Sequence, residues 1–257
     1  IQSLERKILL KLDLKEIYND YLTEIESVNK LNYQKKNPNK YYRASAAGHC
    51  FKKHWYAMNN VEGKEIPKTL KRLFRLGTIV HDDIQKAINW YDNKISDDLS
   101  NEYSVSFQTE YGILIEKLNV MGSADIILID SEKKACVIDI KTMGWRAWSK
   151  RVSKNKSINS SPKYELQLGT YALGILEQED IEYDDISLYL VYYKKDDSVM
   201  KAVEVNNVWM DNAAEYWIAL NETLSLVKEE ADLPRDTTNV PVEDWECRYC
   251  QFEPICN

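Results

Sequence analysis

The 257-residue sequence lacks long apolar runs, contains little glycine and shows no internal repeat or low-complexity tract. No apolar run reaches the roughly 18 residues of a membrane-spanning helix, so no such helix is expected. Only 8 glycines occur, whereas there are 17 tyrosines and 7 tryptophans, and this composition argues against extensive disorder. The chain is long enough to bury a substantial core, which favours one large globular domain.

The N-terminal segment lacks the features of a secretory signal. The stretch IQSLERKILLKLDLKEIYND alternates charged and apolar residues and has no basic start, apolar middle or small-residue cleavage site. We therefore expect a cytoplasmic protein that does not associate with a membrane.

A basic net charge is absent as well. The formal net charge is −7, whereas a protein that binds nucleic acid by bulk attraction alone would be basic. The charge is uneven, because residues 27–61 contain seven Lys or Arg and no acid, and residues 146–163 contain six and no acid. Such local basic surfaces can steer an anionic polymer, although they are equally typical of ordinary solvated surface.

Hydrophobic periodicity predicts an α/β fold with a mixed central β-sheet flanked by helices. A helix is expected from Pro67 to about Trp90, and a second helix begins at Pro162. Between them lie three strand patterns, and the strand ISLYLVYYK and a hairpin partner follow the second helix. A hairpin joined to a further strand through a crossover helix gives such a mixed sheet. The three strand patterns cover residues 103–111, 118–130 and 135–142.

Helices are also expected towards both ends of the chain. The first covers residues 4–31, a short one begins at a Ser45 cap and ends near Asn59, and a long one starts at NVWMDNAAEYW. The segment 146–163 is expected to be polar and basic. We expect the inner stripe of the Pro67 helix to contain six apolar residues. The stripe comprises Leu70, Leu73, Phe74, Val80, Ile84 and Ile88.

The stretch CVIDIKT, residues 136–142, places two opposite charges on one face of a buried strand. Asp139 and Lys141 are two residues apart and share that face, while Cys136, Ile138 and Ile140 point to the opposite face and are expected in the core. Taken alone, this pattern is most typical of a buried ion pair.

A second carboxylate, Asp125, lies in the preceding strand pattern and can reach the same end of the sheet as Asp139 if the two strands form a hairpin. Two carboxylates this close repel each other unless a cation lies between them, and oxygen ligands suit Mg²⁺ or Mn²⁺. Lys141 could then orient a water or stabilise charge on a phosphate. His81, on the helix before the strands, is a further candidate metal ligand.

Gln167 and Tyr171 lie four residues apart on one face of the helix that begins at Pro162, where they could hold a phosphate or a water. Together with the acidic residues they complete an ordered set of motifs that resembles the PD-(D/E)XK nuclease superfamily, in its RecB-type branch. One departure is Ala124, where the superfamily name has proline. The motifs are G-x-x-x-H at Gly77–His81, G-x-x-D at Gly122–Asp125, D-x-K at Asp139–Lys141 and Q-x-x-x-Y at Gln167–Tyr171.

The resemblance implies a restriction-endonuclease-like core and a role for each matching residue. It implies a divalent ion, Mg²⁺ or Mn²⁺, held by His81, Asp125, Asp139 and the backbone carbonyl of Ile140. Lys141 would place the attacking water, and Gln167 and Tyr171 would support the site. It also implies one integrated domain, with an N-terminal helical region at 1–65, a nuclease core at 66–205 and a C-terminal helix with a cysteine-rich tail at 206–257.

Three of the five cysteines cluster in the C-terminal tail, in the order C-x-x-C-x-x-x-x-x-C at Cys247, Cys250 and Cys256. In a cytosolic chain such a cluster favours metal binding over disulfides. Cys50 is the best candidate for a fourth ligand, Cys136, placed in the core of a strand, is the alternative, and His49 is a further possible ligand. From spacing alone, zinc is at least as compatible as an iron–sulfur cluster.

The resemblance favours the iron–sulfur cluster. RecB-type nucleases of the iron–sulfur class place one cysteine before the core and three after it, and the spacing of Ser45, Cys50 and Tyr56 is similar to their N-terminal motif. A [4Fe–4S] cluster held by Cys50, Cys247, Cys250 and Cys256 is therefore implied, with zinc as the alternative. The class includes the CRISPR-associated spacer-trimming nuclease, the AddB nuclease domain and related viral exonucleases.

We therefore expect an enzyme, a metal-dependent DNA exonuclease that acts on single-stranded DNA or duplex ends, with endonuclease activity also compatible. Protein partners in a CRISPR, DNA repair or viral replication complex are implied by the same resemblance, and the long helices at both ends could mediate oligomerisation. Two alternatives stay open: a nuclease-fold protein that binds DNA or a partner without cutting, and a zinc-stabilised interaction domain.

Overall fold

The computed structural model describes residues 13–38, 40–96, 105–152, 161–233, 242 and 244–256. The chain divides into two compact units. The smaller unit comprises Ile1–Lys40 and Glu65–Ile79, and the larger unit comprises Tyr41–Lys64 and Val80–Asn257.

The smaller unit contains helix α1 (Leu14–Lys36) and the first part of helix α3 (Lys68–Ser96). Helix α1 begins at a capping aspartate, because the Asp13 side chain accepts hydrogen bonds from the backbone N–H groups of the first turn. Polar contacts join the two helices within this unit, including the 2.8 Å ion pair between Lys68 and Glu16.

The larger unit is built on a six-stranded mixed sheet whose strands are ordered β1-β3-β4-β5-β6, with β2 paired to β3. The β2–β3, β3–β4 and β5–β6 pairs are antiparallel, whereas β1–β3 and β4–β5 are parallel. The strands are β1 (Tyr42–Arg43), β2 (Val105–Ile115), β3 (Val120–Asp130), β4 (Ala135–Met143), β5 (Ile186–Lys194) and β6 (Met200–Val205).

Helix α5 (Pro162–Glu179) is the crossover between the parallel strands β4 and β5, and its buried stripe packs on one face of the sheet. Helix α6 (Val208–Ser225) packs on α5, where the buried Trp217 indole donates to Thr170 Oγ1 at 2.8 Å. Gly169 permits this close approach, since a Cβ there would overlap the Trp209 carbonyl oxygen. The shorter helices are α2 (Phe51–Met58), α4 (Trp145–Arg151) and α7 (Asp244–Tyr249).

The predicted fold class is confirmed, because a mixed sheet is flanked by helices in the predicted order. Strand β5 covers the predicted stretch ISLYLVYYK, and Pro162 lies in the first turn of α5 as expected. Within the described residues, no helix is both long enough and apolar enough to cross a membrane.

Two local predictions were wrong. The helix expected from Ser45 begins at Phe51. Ala44–Ala46 forms a separate 3-10 turn, and Gly48, with a left-handed φ of 75°, lies between that turn and the helix. Leu73 and Phe74, expected inside the stripe of α3, are exposed. Residues 4–12 of the first predicted helix lie outside the described residues.

Candidate active site

The site lies at a fork in the sheet along strand β3. Strand β2 pairs with one edge of β3 from Val120 to Asp130. Because a strand has only two edges, β1 and β4 must share the other: β1 pairs with Val120 and Met121, and β4 pairs from Ile126 to Ile129. Residues 122–125 therefore have no partner strand on that edge within the described part of the chain, and the edge opens next to Asp125.

Asp125 bridges this opening. Its Oδ2 accepts a hydrogen bond from the backbone N–H of Ile140 on β4 at 2.7 Å, in place of a backbone carbonyl. The same oxygen lies 3.4 Å from Nδ1 of His81, which helix α3 places beside it. The fork thus brings a carboxylate, an imidazole and the backbone of Ile140 together.

Asp139 lies on β4 on the face that packs against α5, and its side chain is 1% exposed. Its Oδ2 lies 2.6 Å from Lys141 Nζ but accepts no hydrogen bond from the described residues. Burial raises the pKa of Asp139 to about 6; the ammonium of Lys141 opposes this rise and the carboxylate of Asp125 adds to it. A buried carboxylate with an incompletely satisfied oxygen is suited to a cation.

Helix α5 holds Lys141 and Asp139 through one amide. Gln167 Oε1 accepts from Lys141 Nζ at 2.8 Å, while Gln167 Nε2 donates to the hydroxyl of Tyr171 at 2.7 Å and approaches Asp139 Oδ1 at 3.4 Å. Burial raises the pKa of Tyr171 well above its usual range, so the hydroxyl stays neutral. The Tyr164 ring lies beneath Lys141 Nζ at 5.0 Å, within cation–π distance.

The structure brings together all the side chains that the sequence motifs proposed for catalysis, and it adds others that sequence reasoning missed. Gln85 follows His81 by one helical turn, a spacing that could have indicated it, and Tyr164 precedes Gln167 by three residues on α5. No sequence signal pointed to Glu110, which accepts hydrogen bonds from Gln85 and from Ser123.

The donor set at the fork fits a hard divalent cation, because it combines two carboxylates with an imidazole and includes the unsatisfied Oδ2 of Asp139. Within the described ranges, however, no group of three His, Cys, Asp or Glu side chains is arranged to hold a metal ion. In the structure, Asp125 contacts His81, and Asp139 contacts Lys141. The carbonyl of Ile140 as a ligand stays a prediction.

Four of the five cysteines lie near one another. The pKa of the Cys50 thiol is raised mainly by burial, and the neighbouring Cys250 and Cys256 add to the rise. Burial likewise raises the pKa of the Cys256 thiol, and the neighbouring Cys250 and Cys247 add to this rise. Burial alone raises the pKa of Cys136 to about 11, so this fifth cysteine stands apart in β4. It is only half-buried, as is Ile138, so of the opposite face of CVIDIKT only Ile140 is fully in the core.

Beneath these cysteines lies a small second core formed by Tyr56, Leu233 and Phe252, with Cys250 and Cys256 packed against it. Cys50 is the N-cap residue that directly precedes helix α2. The thiol set fits a cluster or a zinc ion in chemistry, although the side chains do not form a ready-made metal group among the described residues.

Comparison with known proteins agrees with this geometry. A family model described as the PD-(D/E)XK nuclease superfamily matches residues 90–257, which include Asp125, Asp139, Lys141, Gln167 and Tyr171. No curated protein matches the sequence.

Solved structures resemble the chain, and two crystal structures are among them. That of SSO0001 has a TM-score of 0.50 and 19% sequence identity, over 93% of this chain and 96% of that one, and this likeness concerns the fold alone. That of a "Putative exonuclease" from Eubacterium rectale has a TM-score of 0.45 and 12% identity, over 75% and 81% of the two chains.

Proposed function

Because the chain belongs to the PD-(D/E)XK nuclease superfamily, we propose that it is a metal-dependent deoxyribonuclease that hydrolyses phosphodiester bonds at DNA ends. The observation that carries this proposal is the network at the fork, in which the buried Asp139 contacts Lys141 and Gln167 while Asp125 contacts His81 and the next strand. An intact acid–acid–lysine set of this kind argues against a catalytically inactive binding protein.

In the proposed reaction, His81, Asp125, Asp139 and the Ile140 carbonyl would hold Mg²⁺ or Mn²⁺. When bound, such an ion stabilises the charge that develops on the phosphate and lowers the pKa of a bound water. The water would release one proton to solvent as its oxygen bonds to phosphorus, the P–O bond on the opposite side would break, and the leaving oxygen would take up a proton from solvent.

The protein groups prepare this step by position and charge. Gln167 accepts from Lys141 Nζ and fixes the ammonium beside Asp139, where it can orient the water and offset negative charge on the phosphate. Tyr171 holds Gln167 in turn, since its hydroxyl accepts from Gln167 Nε2. The arrangement is preorganised, because Asp139, Gln167 and Tyr171 are all buried.

Single-stranded DNA is the substrate that we propose, because helix α4 starts directly beyond the catalytic strand and presents an exposed aromatic ring. Trp145 is 56% exposed, and the guanidinium of Arg146 lies 6.0 Å from its ring. Its neighbour Trp148 packs against the core and anchors the helix. Exposed rings beside basic groups suit unpaired bases, which stack on them.

We also propose that Cys50, Cys247, Cys250 and Cys256 hold a structural [4Fe–4S] cluster, with zinc as the alternative. Their mutual proximity supports this assignment. Joining Cys50 to the tail closes a loop of about 200 residues, which restricts the unfolded chain.

Protein partners in a CRISPR, repair or viral replication complex, and a cytoplasmic location, are also part of the proposal. So is a single integrated domain with regions 1–65, 66–205 and 206–257.

Cleavage of end-labelled single- and double-stranded DNA with Mg²⁺ or Mn²⁺ tests the nuclease proposal. Asp139→Ala and Lys141→Ala are each expected to reduce cleavage by at least about 100-fold, since each removes a charged group that the transition state requires. Asp197→Ala is the matched control, because it removes an exposed aspartate that pairs with Lys194 on the β5–β6 hairpin. Undiminished cleavage by both active-site variants, or cleavage by none of the proteins, refutes the proposal.

A further inference from the structure

Strand β2 changes the face to which its side chains point at one residue, Glu110. The Phe107 ring contacts Tyr91 of helix α3 at 5.9 Å, and Thr109 contacts Asn89 of the same helix. Tyr111, two residues further on, instead donates a hydrogen bond to Glu179 of α5. In a regular strand residues 107, 109 and 111 would share one face, so the strand reverses its faces between 109 and 111.

The cause is the backbone of Glu110, which has a φ of 52°. This left-handed conformation is unfavourable for a residue with a Cβ, and it persists only where surrounding contacts enforce it. The register of β2 and β3 pairs Thr109 with Ile126 and Tyr111 with Ala124, which places Glu110 across from Asp125. The strained residue thus lies opposite a proposed metal ligand.

Two hydrogen bonds hold the Glu110 carboxylate. Its Oε1 accepts from Gln85 Nε2 at 2.7 Å, and its Oε2 accepts from Ser123 Oγ at 3.0 Å. Gln85 is buried, lies one turn after His81 on α3, and also donates to the backbone carbonyl of Asp125 at 3.3 Å. One carboxylate therefore ties together the helix that carries His81 and the strand segment 123–125 that carries Asp125.

We propose that Glu110 is a positioning residue of the active site, which fixes Asp125 relative to His81 through Gln85 and Ser123. This inference rests on the proposed nuclease function. Glu110 does not contact the reacting groups itself; both of its carboxylate oxygens are occupied by these hydrogen bonds. Among the described residues, no strand pairs with residues 122–125 on the other edge of β3, so β2 and the Glu110 contacts support Asp125 from the opposite edge.

Substitution of Glu110 by glycine separates this role from a purely structural one. Glycine adopts left-handed φ readily, so Glu110→Gly removes the carboxylate and the strain together and should leave the melting temperature close to that of wild type. We expect its kcat to fall at least about tenfold with KM for DNA unchanged, because small misplacements of catalytic groups are costly. The Mn²⁺ concentration needed for half-maximal activity should rise, because His81 and Asp125 are no longer held together.

Two further variants complete the experiment. Glu110→Gln keeps an oxygen that can accept from Gln85 and an amide that can donate to Ser123, so it should recover most of the lost kcat. Lys133→Gly is the matched control, because Lys133 is also a charged residue with a left-handed φ, 62°, in the turn between β3 and β4. It should cleave as the wild type does.

The outcomes distinguish the inference from the function on which it rests. A wild-type protein without cleavage overturns the proposed function. An active wild type with an equally active Glu110→Gly overturns the positioning role alone. That role is also overturned if Glu110→Gln is as impaired as Glu110→Gly, which would make the carboxylate charge itself essential, or if Glu110→Gly melts well below Lys133→Gly, which would make the residue structural.

Discussion

At the scale of single residues, the protein keeps ionisable side chains buried and controls their charge by their neighbours. Asp139 is held beside Lys141, whereas His54 on α2 is 4% exposed and has no acidic partner among the described residues. His54 Nε2 instead lies 2.7 Å from the hydroxyl of Tyr216, which donates to the carbonyl of His49. Burial, together with the nearby Lys53, lowers the pKa of His54 to about 3.

This burial makes folding stability depend on pH. The pKa of His54 is near 6.5 in the unfolded chain and about 3 in the folded one, so the unfolded state binds more protons between these values. The free energy of unfolding should therefore be fully retained above pH 6.5 and should fall below it, by up to about 1.4 kcal/mol per pH unit. Urea denaturation at pH 7, 6 and 5 would measure this slope.

His54→Gln keeps a group that can donate to Tyr216 and removes the titration, so its slope should be shallower than that of wild type. Both proteins retain His49, whose pKa burial lowers to about 2, and Asp139, whose raised pKa of about 6 has the opposite effect on stability below pH 6, so the difference between the two slopes isolates His54. Equal slopes in the two proteins would contradict the assignment of the pH dependence to His54.

At the scale of elements, the orientation of a helix decides which of its aromatic residues pack in the core and which are exposed. The two tryptophans of helix α4 divide in this way, since Trp148 packs against the core while Trp145 is exposed. Sequence spacing did not separate them. The helix follows Gly144 at the end of β4, so the exposed ring lies close to the end of the strand that carries Asp139 and Lys141.

Removal of the Trp145 ring should weaken binding of single-stranded DNA. Trp145→Ala is expected to raise KM for single-stranded DNA by about tenfold, since base stacking on an aromatic ring contributes roughly 1–3 kcal/mol. Trp90→Ala is a close control, because Trp90 is also exposed (63%) and has a basic neighbour, with Lys94 Nζ 5.2 Å from its ring. Equal effects of the two substitutions on cleavage of oligonucleotides would show that α4 has no special role.

At the scale of the whole molecule, the C-terminal tail contacts the start of helix α5. Lys163 at the start of α5 pairs with Glu246, which directly precedes Cys247, and a Cβ at Gly48 would contact the same lysine side chain. The cysteine-bearing tail thus lies against the first turn of the helix that carries Gln167. Loss of the tail should therefore disturb both stability and the active site.

Anaerobic purification tests the proposed cluster at this scale. The wild-type protein should be brown and contain iron, and Cys50→Ser should lose the iron and melt at a lower temperature, because the closure of about 200 residues is lost. Cys136→Ser is the control, since Cys136 stands apart from the other four cysteines, and it should retain the iron. Stoichiometric zinc without iron in the wild type would replace the cluster by the zinc alternative.

Sequence patterns predicted the elements well where one physical signal dominated. Alternation and β-branched residues marked β5, and a proline in the first turn marked the start of α5. They failed at Ser45, where a left-handed Gly48 and a 3-10 turn intervene, and at Leu73 and Phe74, whose helical spacing resembles a core stripe although both are exposed. Periodicity shows which face is apolar, but it does not show whether anything covers that face.

The sequence alone indicated the kind of chemistry, because the types, order and spacing of His81, Asp125, Asp139 and Lys141 are fixed along the covalent chain. The tertiary structure decided how these groups meet, because their contacts depend on strand register and on an open edge of β3. It also decided the role of Glu110, whose left-handed backbone and partners on α3 and β3 come from distant parts of the chain. No local pattern encodes a contact between residues 25 positions apart; only packing brings Gln85 to Glu110.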